Sequence, residues 1–129
     1  LAAESDFLVV ATPGGAGTHH LVDASVLEAL GPDGYLINIA RGSVVDTNAL
    51  IAALAERRIA GAGLDVVDGE PFIPDALKQL DNVVLTPHSA GRSPEAVAAT
   101  VALFLENATA HFAGKPVLTP VRDAQTEAA

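Results

Sequence analysis

The sequence predicts an α/β fold built on a parallel sheet, and three observations predict it. Its short apolar runs do not alternate with polar residues, the pattern of strands that lie inside a sheet. Between and after them stand segments whose apolar residues recur at helical spacing behind capping residues. The two kinds of segment take turns along the chain, strand then helix, the order that parallel crossovers require. Such a sheet is expected to be covered on both faces.

Phe7 to Ala11 is the first apolar run, and Thr12-Pro13-Gly14-Gly15 closes it as a loop. Asp23 stands as the N-cap of a helix from Ala24 to Leu30, with Gly31 after its last turn and Pro32 as a stop. Asp33-Gly34 turns the chain into a second strand, Tyr35 to Ile39, ending at Ala40-Arg41-Gly42. Asp46 caps a helix reaching Arg57, with Leu50, Ile51 and Leu54 on one face and basic residues at its negative end. Gly61 to Val67 is the next strand, Pro71 to Pro74 a loop, and Val83 to Leu85 the last strand. Ser93-Pro94 then supplies the cap and first residue of a long helix. Val97, Val101, Phe104, Ala108 and Phe112 step along it at helical spacing until Gly114 and Pro116 end it. The expected organisation is an α/β body over 1–92, a helix and return segment over 93–120, and a frayed tail over 121–129.

With 129 residues there is room for one modest domain. The net charge of −9 and a pI of about 4.6 argue against a surface that neutralises phosphates, so no nucleic-acid partner is expected. Without cysteine there is no disulfide, no thiolate nucleophile and no Cys-ligated metal. Half the residues are apolar and mean hydropathy is +0.36, which favours dense burial over disorder. The stretch Ala96 to Leu105 is too short to cross a bilayer, so no membrane partner is expected. No basic-then-apolar leader opens the chain, which predicts a cytoplasmic protein. The lack of methionine and the start at Leu1 predict a piece of something longer.

In parallel sheets ligands bind beyond the carboxyl ends of the strands. That rule selects Thr12-Pro13, Ala40-Arg41-Gly42, Asp65 to Glu70, and Pro87-His88. Arg41 is either a surface arginine beside a turn or a guanidinium able to grip a carboxylate in bidentate fashion. Gly42 beside it lets backbone come close to a ligand. Asp65, inside an apolar run, must find donors. It either caps a neighbouring loop or accepts from a ligand amide. A lone His88 is more often structural than catalytic. A carboxylate beside it, such as Glu70, would fix its tautomer and stabilise the imidazolium, which suits general acid–base chemistry on an anionic substrate. The adjacent His19 and His20 are expected to diverge, and His111 falls near a helix end. No metal-ligand spacing is present, so no metal is expected. Gly15-Ala-Gly17-Thr-His-His20 begins like a dinucleotide fingerprint but ends in histidine, and Gly61-Ala-Gly63-Leu-Asp-Val66 fails at the same place.

Together, Leu36-Ile-Asn-Ile-Ala-Arg-Gly-Ser-Val-Val-Asp46, Ala49-Leu-Ile-Ala-Ala-Leu54, Ala62-Gly-Leu-Asp-Val66, Gly69-Glu-Pro71 and Asn82-Val-Val-Leu-Thr-Pro-His-Ser-Ala-Gly91 resemble the D-isomer-specific 2-hydroxyacid dehydrogenase family. The segments Val9 to Thr18 and Gly114 to Pro120 look most like its glyoxylate/hydroxypyruvate reductase branch. The resemblance implies the second half of a Rossmann-like parallel sheet with flanking helices, plus a long C-terminal helix returning toward a substrate domain. It implies NADP or NAD as cofactor, a small 2-keto or 2-hydroxy acid as substrate, and a homodimer at full length. Arg41 would hold the substrate carboxylate, His88 would exchange the proton with the keto oxygen, and Glu70 would orient His88. Asp65 with the main chain at Ile39-Ala40 would hold the nicotinamide carboxamide. Thr12, Pro13 and Thr18 would line the cofactor's ribose and phosphates, with Ala90 and Gly91 close to the nicotinamide. Arg92 departs from the family's usual small-residue pattern. The family's glycine fingerprint has no counterpart here, so NAD and NADP are not distinguished. Two other readings are a non-catalytic, NAD(P)-sensing interaction protein of corepressor type and a fragment inactive by itself.

Overall fold

The computed structural model describes residues 1–121 of the chain. The elements run β1 (Phe7–Val10), α1 (Ala24–Leu30), β2 (Tyr35–Asn38), α2 (Thr47–Ala55), β3 (Gly61–Leu64), α3 (Asp75–Lys78), β4 (Val83–Leu85) and α4 (Pro94–Phe112). The described residues fall into two compact units, Leu1–Ala90 and the segment from Gly91 onward.

In the first unit the strands form one sheet in the order β1-β2-β3-β4, every neighbour parallel. Val10, Leu36, Ala62 and Leu64 are buried on one face with Leu27 and Leu30 of α1 and Leu50, Ala53 and Leu54 of α2. The other face is open: Phe7, Val9 and Val84 are 63%, 55% and 67% exposed, and Phe7 stacks on Tyr35 across the strands. Cover on both faces is therefore not what this unit shows. The reason is topological. Right-handed crossovers between strands added always on the same side place their helices on the same face, and this strand order never reverses.

The helix ends follow from local chemistry. One oxygen of Asp23 accepts from the Ser25 and Val26 N–H groups and so caps α1. Gly31 closes that helix at φ 81°, a left-handed position that glycine takes without steric cost. Asp46 does the same for α2 through the Asn48 and Ala49 N–H groups. That helix stops at Ala55 rather than reaching Arg57, because Arg57 turns left-handed at φ 56°. The strand expected to run to Val67 ends at Leu64, where loop geometry takes over. After the loop at Pro71 to Pro74 comes the short α3, whose Leu77 is buried.

In the second unit, Ser93 caps α4 by accepting from the Ala96 N–H, with Pro94 in the first turn. No residue of α4 is buried. Asn107 holds the segment after the helix: its oxygen accepts from the Leu118 and Thr119 N–H groups and its nitrogen donates to Thr119 Oγ1 and the Leu103 carbonyl. Of the tail expected over 121–129, residues 122–129 lie outside the described residues. Among the described residues no helix is long and apolar enough to cross a membrane.

Candidate active site

Because all four strands run the same way, one edge of the sheet receives four loops: Ala11 to Gly15, Ile39 to Ser43, Asp65 to Glu70, and Thr86 to Ala90. Buried Asn38, the last residue of β2, shapes the second of these. Its Oδ1 accepts from the Ala40 N–H and its Nδ2 donates to the Arg41 carbonyl, folding the chain outward at Arg41.

The first two loops enclose a hollow of about 700 Å3, lined by Thr12, Pro13, Gly14, Ile39, Ala40 and Arg41 among others. Arg41 lies across Gly14, where a β-carbon would come within 2.8 Å of Arg41 Cγ. Its Nη1 donates to the Ala40 carbonyl at 2.7 Å, and among the described residues the remaining guanidinium donors have no other acceptor. Thr12 Oγ1 is buried with no partner among the described residues. An orphaned hydroxyl at the wall of a polar hollow is the state expected of a group that meets its partner on a ligand. Thr18 does not line the hollow itself: its hydroxyl donates to the carbonyl of Pro13, which does, at 2.7 Å and closes the loop on itself.

Asp65 organises the last two loops. Its Oδ1 accepts from the Thr86 hydroxyl and the Ser89 N–H, and its Oδ2 from the Ala90 N–H. Its main-chain carbonyl accepts from the His88 N–H at 3.0 Å. The Thr86 hydroxyl above all, then the Ala90 and Ser89 N–H groups, hold its carboxyl below the usual 3.8, against the opposing effect of desolvation. Both roles left open by the sequence are compatible here. Asp65 caps a loop, and since a carboxylate has about four acceptor sites, one on Oδ2 is left for a ligand donor.

His88 sits at φ 51°. A non-glycine residue there costs about 1–2 kcal/mol, so the surrounding bonds must hold it. Its Nδ1 lies 2.7 Å from Glu70 Oε1, with both side chains part-exposed. Nε2 has no partner among the described residues. The pair borders an apolar hollow of about 550 Å3 with Val67, Pro71, Ile73 and Leu85. A third hollow, about 340 Å3, brings Ile39, Asp65 and Ala90 to one wall.

The predicted residues therefore gather in neighbouring groups. Thr12, Pro13, Ile39, Ala40 and Arg41 share one hollow, Ile39 also borders a second with Asp65 and Ala90, and Glu70 and His88 touch directly. Arg41 makes no hydrogen bond or ion pair to Glu70 or His88, although its loop meets that of Glu70 where Gly42 packs on the Val67–Asp68 backbone. The close approach expected of Gly42 is thus to the chain itself. Gly91 belongs to the second unit. His19 and His20 do not diverge: left-handed backbone at His20 (φ 52°) stacks the rings with centroids 3.9 Å apart. Among the described residues no three His, Asp or Glu side chains come together as metal ligands would. Sequence reasoning passed over Asn38 and Thr86. A polar residue inside the apolar run Leu36-Ile-Asn-Ile39 was the available signal for Asn38. Thr86 stood in the strand-end loop and in the stretch Asn82 to Gly91, but nothing local tied its hydroxyl to Asp65.

Comparison with known proteins fits this layout. Residues 1–90 match the family model described as D-isomer specific 2-hydroxyacid dehydrogenase, NAD binding domain. The chain is 50% identical to a hydroxyphenylpyruvate reductase of Plectranthus scutellarioides and 50% identical to a glyoxylate/hydroxypyruvate reductase of Arabidopsis thaliana, in each case over 94% of its own length and 39% of theirs. It superposes on an NADPH-dependent glyoxylate/hydroxypyruvate reductase of Sinorhizobium meliloti, solved with NADP and malonate, at TM-score 0.87 and 48% identity, covering 93% of this chain and 38% of that one. The chain thus spans about 39% of the length of these curated relatives. Residues 1–90 form part of a NAD-binding domain, and the chain belongs to the D-isomer-specific 2-hydroxyacid dehydrogenase family.

Proposed function

We propose that the polypeptide carrying this chain reduces a small 2-keto acid, of the glyoxylate or hydroxypyruvate kind, with a nicotinamide cofactor, and that this chain supplies the acid–base and carboxylate-binding groups. The observation that carries the reading is the His88 Nδ1–Glu70 Oε1 contact at 2.7 Å, which leaves Nε2 as the one ring nitrogen still able to serve a substrate. In the imidazolium form both ring nitrogens donate, Nδ1–H to Glu70 and Nε2–H to the keto oxygen. The Nε2 proton passes to that oxygen as the carbonyl is reduced, and returns in the reverse direction. Arg41 takes the substrate carboxylate with the guanidinium donors not used on Ala40, and draws electron density toward the neighbouring keto oxygen.

The residues present fit NAD or NADP. Thr12, whose buried hydroxyl lacks a partner among the described residues, and Pro13 line the hollow where a ribose or phosphate would be held. The Ile39 and Ala40 N–H groups are already given to Val10 and Asn38, so this stretch offers a carboxamide its carbonyl oxygen, while Asp65 offers the open site on Oδ2. A bound nicotinamide supplies the hydride that the carbonyl carbon receives. The relative solved with NADP and malonate, a small dicarboxylate, supports both the cofactor class and the substrate class.

The test is consumption of NADPH or NADH by the intact polypeptide with glyoxylate, hydroxypyruvate or a larger 2-keto acid. Turnover that disappears in Arg41→Ala and in His88→Ala is expected. Wild-type turnover in both variants removes the assignment. Cofactor binding without turnover of any 2-keto acid favours the interaction-protein reading.

A further inference from the structure

We propose that Thr86 is a positioning residue for this reaction, its hydroxyl locking Asp65 so that the loop holds His88 in the backbone conformation that meets Glu70. The inference rests on the reading of His88 as the proton donor. Thr86 is the first residue after β4, and its own N–H donates to the Leu64 carbonyl, continuing the ladder with β3. Its carbonyl and that of Asp65 share the His88 N–H, each at 3.0 Å. Its hydroxyl donates to Asp65 Oδ1, the same oxygen that takes the Ser89 N–H. The other carboxylate oxygen takes the Ala90 N–H. His88 is thus bracketed by bonds to Asp65 from Thr86 on one side and from Ser89 and Ala90 on the other, and its own N–H is bound to the Asp65 main chain.

Left-handed backbone at a non-glycine residue persists only where neighbours over-determine it. Around His88 these bonds run through Asp65. Of the three groups bonded to the Asp65 carboxylate, only Thr86 contributes a side chain, so only that one is removed by substitution without changing the backbone. An acceptor oxygen freed of its charge-assisted donor can rotate, and Ser89 and Ala90 move with it. The imidazole then loses its aim rather than its chemistry. Displacements on the scale of one ångström are enough to slow a reaction without abolishing binding.

The experiment uses the intact polypeptide. Thr86→Val keeps the shape and removes the hydroxyl, whereas Thr86→Ser keeps the hydroxyl. Thr86→Val is expected to lower kcat by about tenfold, the effect of losing one charge-assisted hydrogen bond, while KM for the 2-keto acid changes by less than about twofold. Thr86→Ser is expected to stay within about threefold of wild type, since the hydroxyl donor is kept. Wild-type kcat in Thr86→Val, with or without a lower melting temperature, overturns the proposal, and so does an equal fall in the Val and Ser variants. Should Thr86→Val not fold, Thr86→Ala against Thr86→Ser makes the same comparison, and equal activities overturn the proposal. His88→Ala is measured alongside. Full activity there defeats the proton-donor reading itself, whereas an inactive His88→Ala beside a wild-type Thr86→Val defeats only the role of Thr86.

Discussion

A β-carbon on Gly42 would lie 2.2 Å from the carbonyl carbon of Val67, so the loop after β2 and the loop after β3 touch backbone to backbone. The Asp68 nitrogen would be equally close, at 2.2 Å. This contact joins the loop that carries Arg41 to the loop that carries Glu70. Gly42→Ala is expected to destabilise the protein by about 1–3 kcal/mol, toward the upper end because neither neighbour is a movable side chain. The denaturation midpoint of the intact polypeptide measures it. An unchanged midpoint would show that the two loops separate without cost.

Glu70 is the next residue to vary. Glu70→Gln retains an oxygen able to accept from His88 Nδ1 but replaces a charged acceptor by a neutral one. The reduction is expected to slow by about 10–100-fold in kcat at neutral pH, within the range that general acid–base groups contribute. Steady-state rates with a saturating 2-keto acid measure it. A kcat equal to wild type would leave Glu70 as a spectator to His88.

Arg41→Lys separates charge from geometry. Lysine carries the positive charge but has no planar fork to take a carboxylate through two parallel bonds. One charge-assisted bond is lost, so kcat/KM for the 2-keto acid is expected to fall by about 10–100-fold. Little change would mean that Arg41 acts on substrate as a point charge alone.

What could be read from the sequence and what could not divides by distance along the chain. Asp23 and Asp46 announce their helices because each bonds N–H groups two and three residues ahead, within one reading window. Gly31 is legible for the same reason. Glu70 and His88 were reached through the strand ends and the family's motifs, since 18 residues separate them and no spacing rule links them. The bond from Thr86 to Asp65 spans 21 residues, and although both lie in stretches that resemble the family's, no spacing rule pairs them. The open sheet face was hidden for a different reason. Phe7, Val9 and Val84 look like any buried strand residues, and only the strand order shows that the helices lie on the other side. The stack of His19 on His20 depended on one left-handed φ, which sequence does not print.

Acid stability tests the Asp65 network directly. Its carboxyl lies below the usual 3.8, chiefly because the Thr86 hydroxyl and then two N–H groups bond the charged form. A carboxyl whose value is lowered by folding stabilises the native state fully above its unfolded value, and that contribution disappears as pH falls through the lowered one. The stability difference between wild type and Asp65→Asn is therefore expected to be constant from neutral pH down to about 4 and to shrink below it. Asp23, Asp75 and Glu95 also titrate low, but they are common to both proteins and cancel in the difference. In Thr86→Val the largest cause of the Asp65 shift is gone, so the narrowing should start at the same pH, set by the unfolded carboxyl, but be smaller and complete at higher pH than in wild type. Denaturation midpoints of the three proteins between pH 7 and pH 2 give the comparison, a span of about five units that brackets the reference carboxylate values. A difference that stays flat to the acid end, or a Thr86→Val curve that coincides with wild type, would mean that the three groups bonded to the Asp65 carboxylate do not hold its charge.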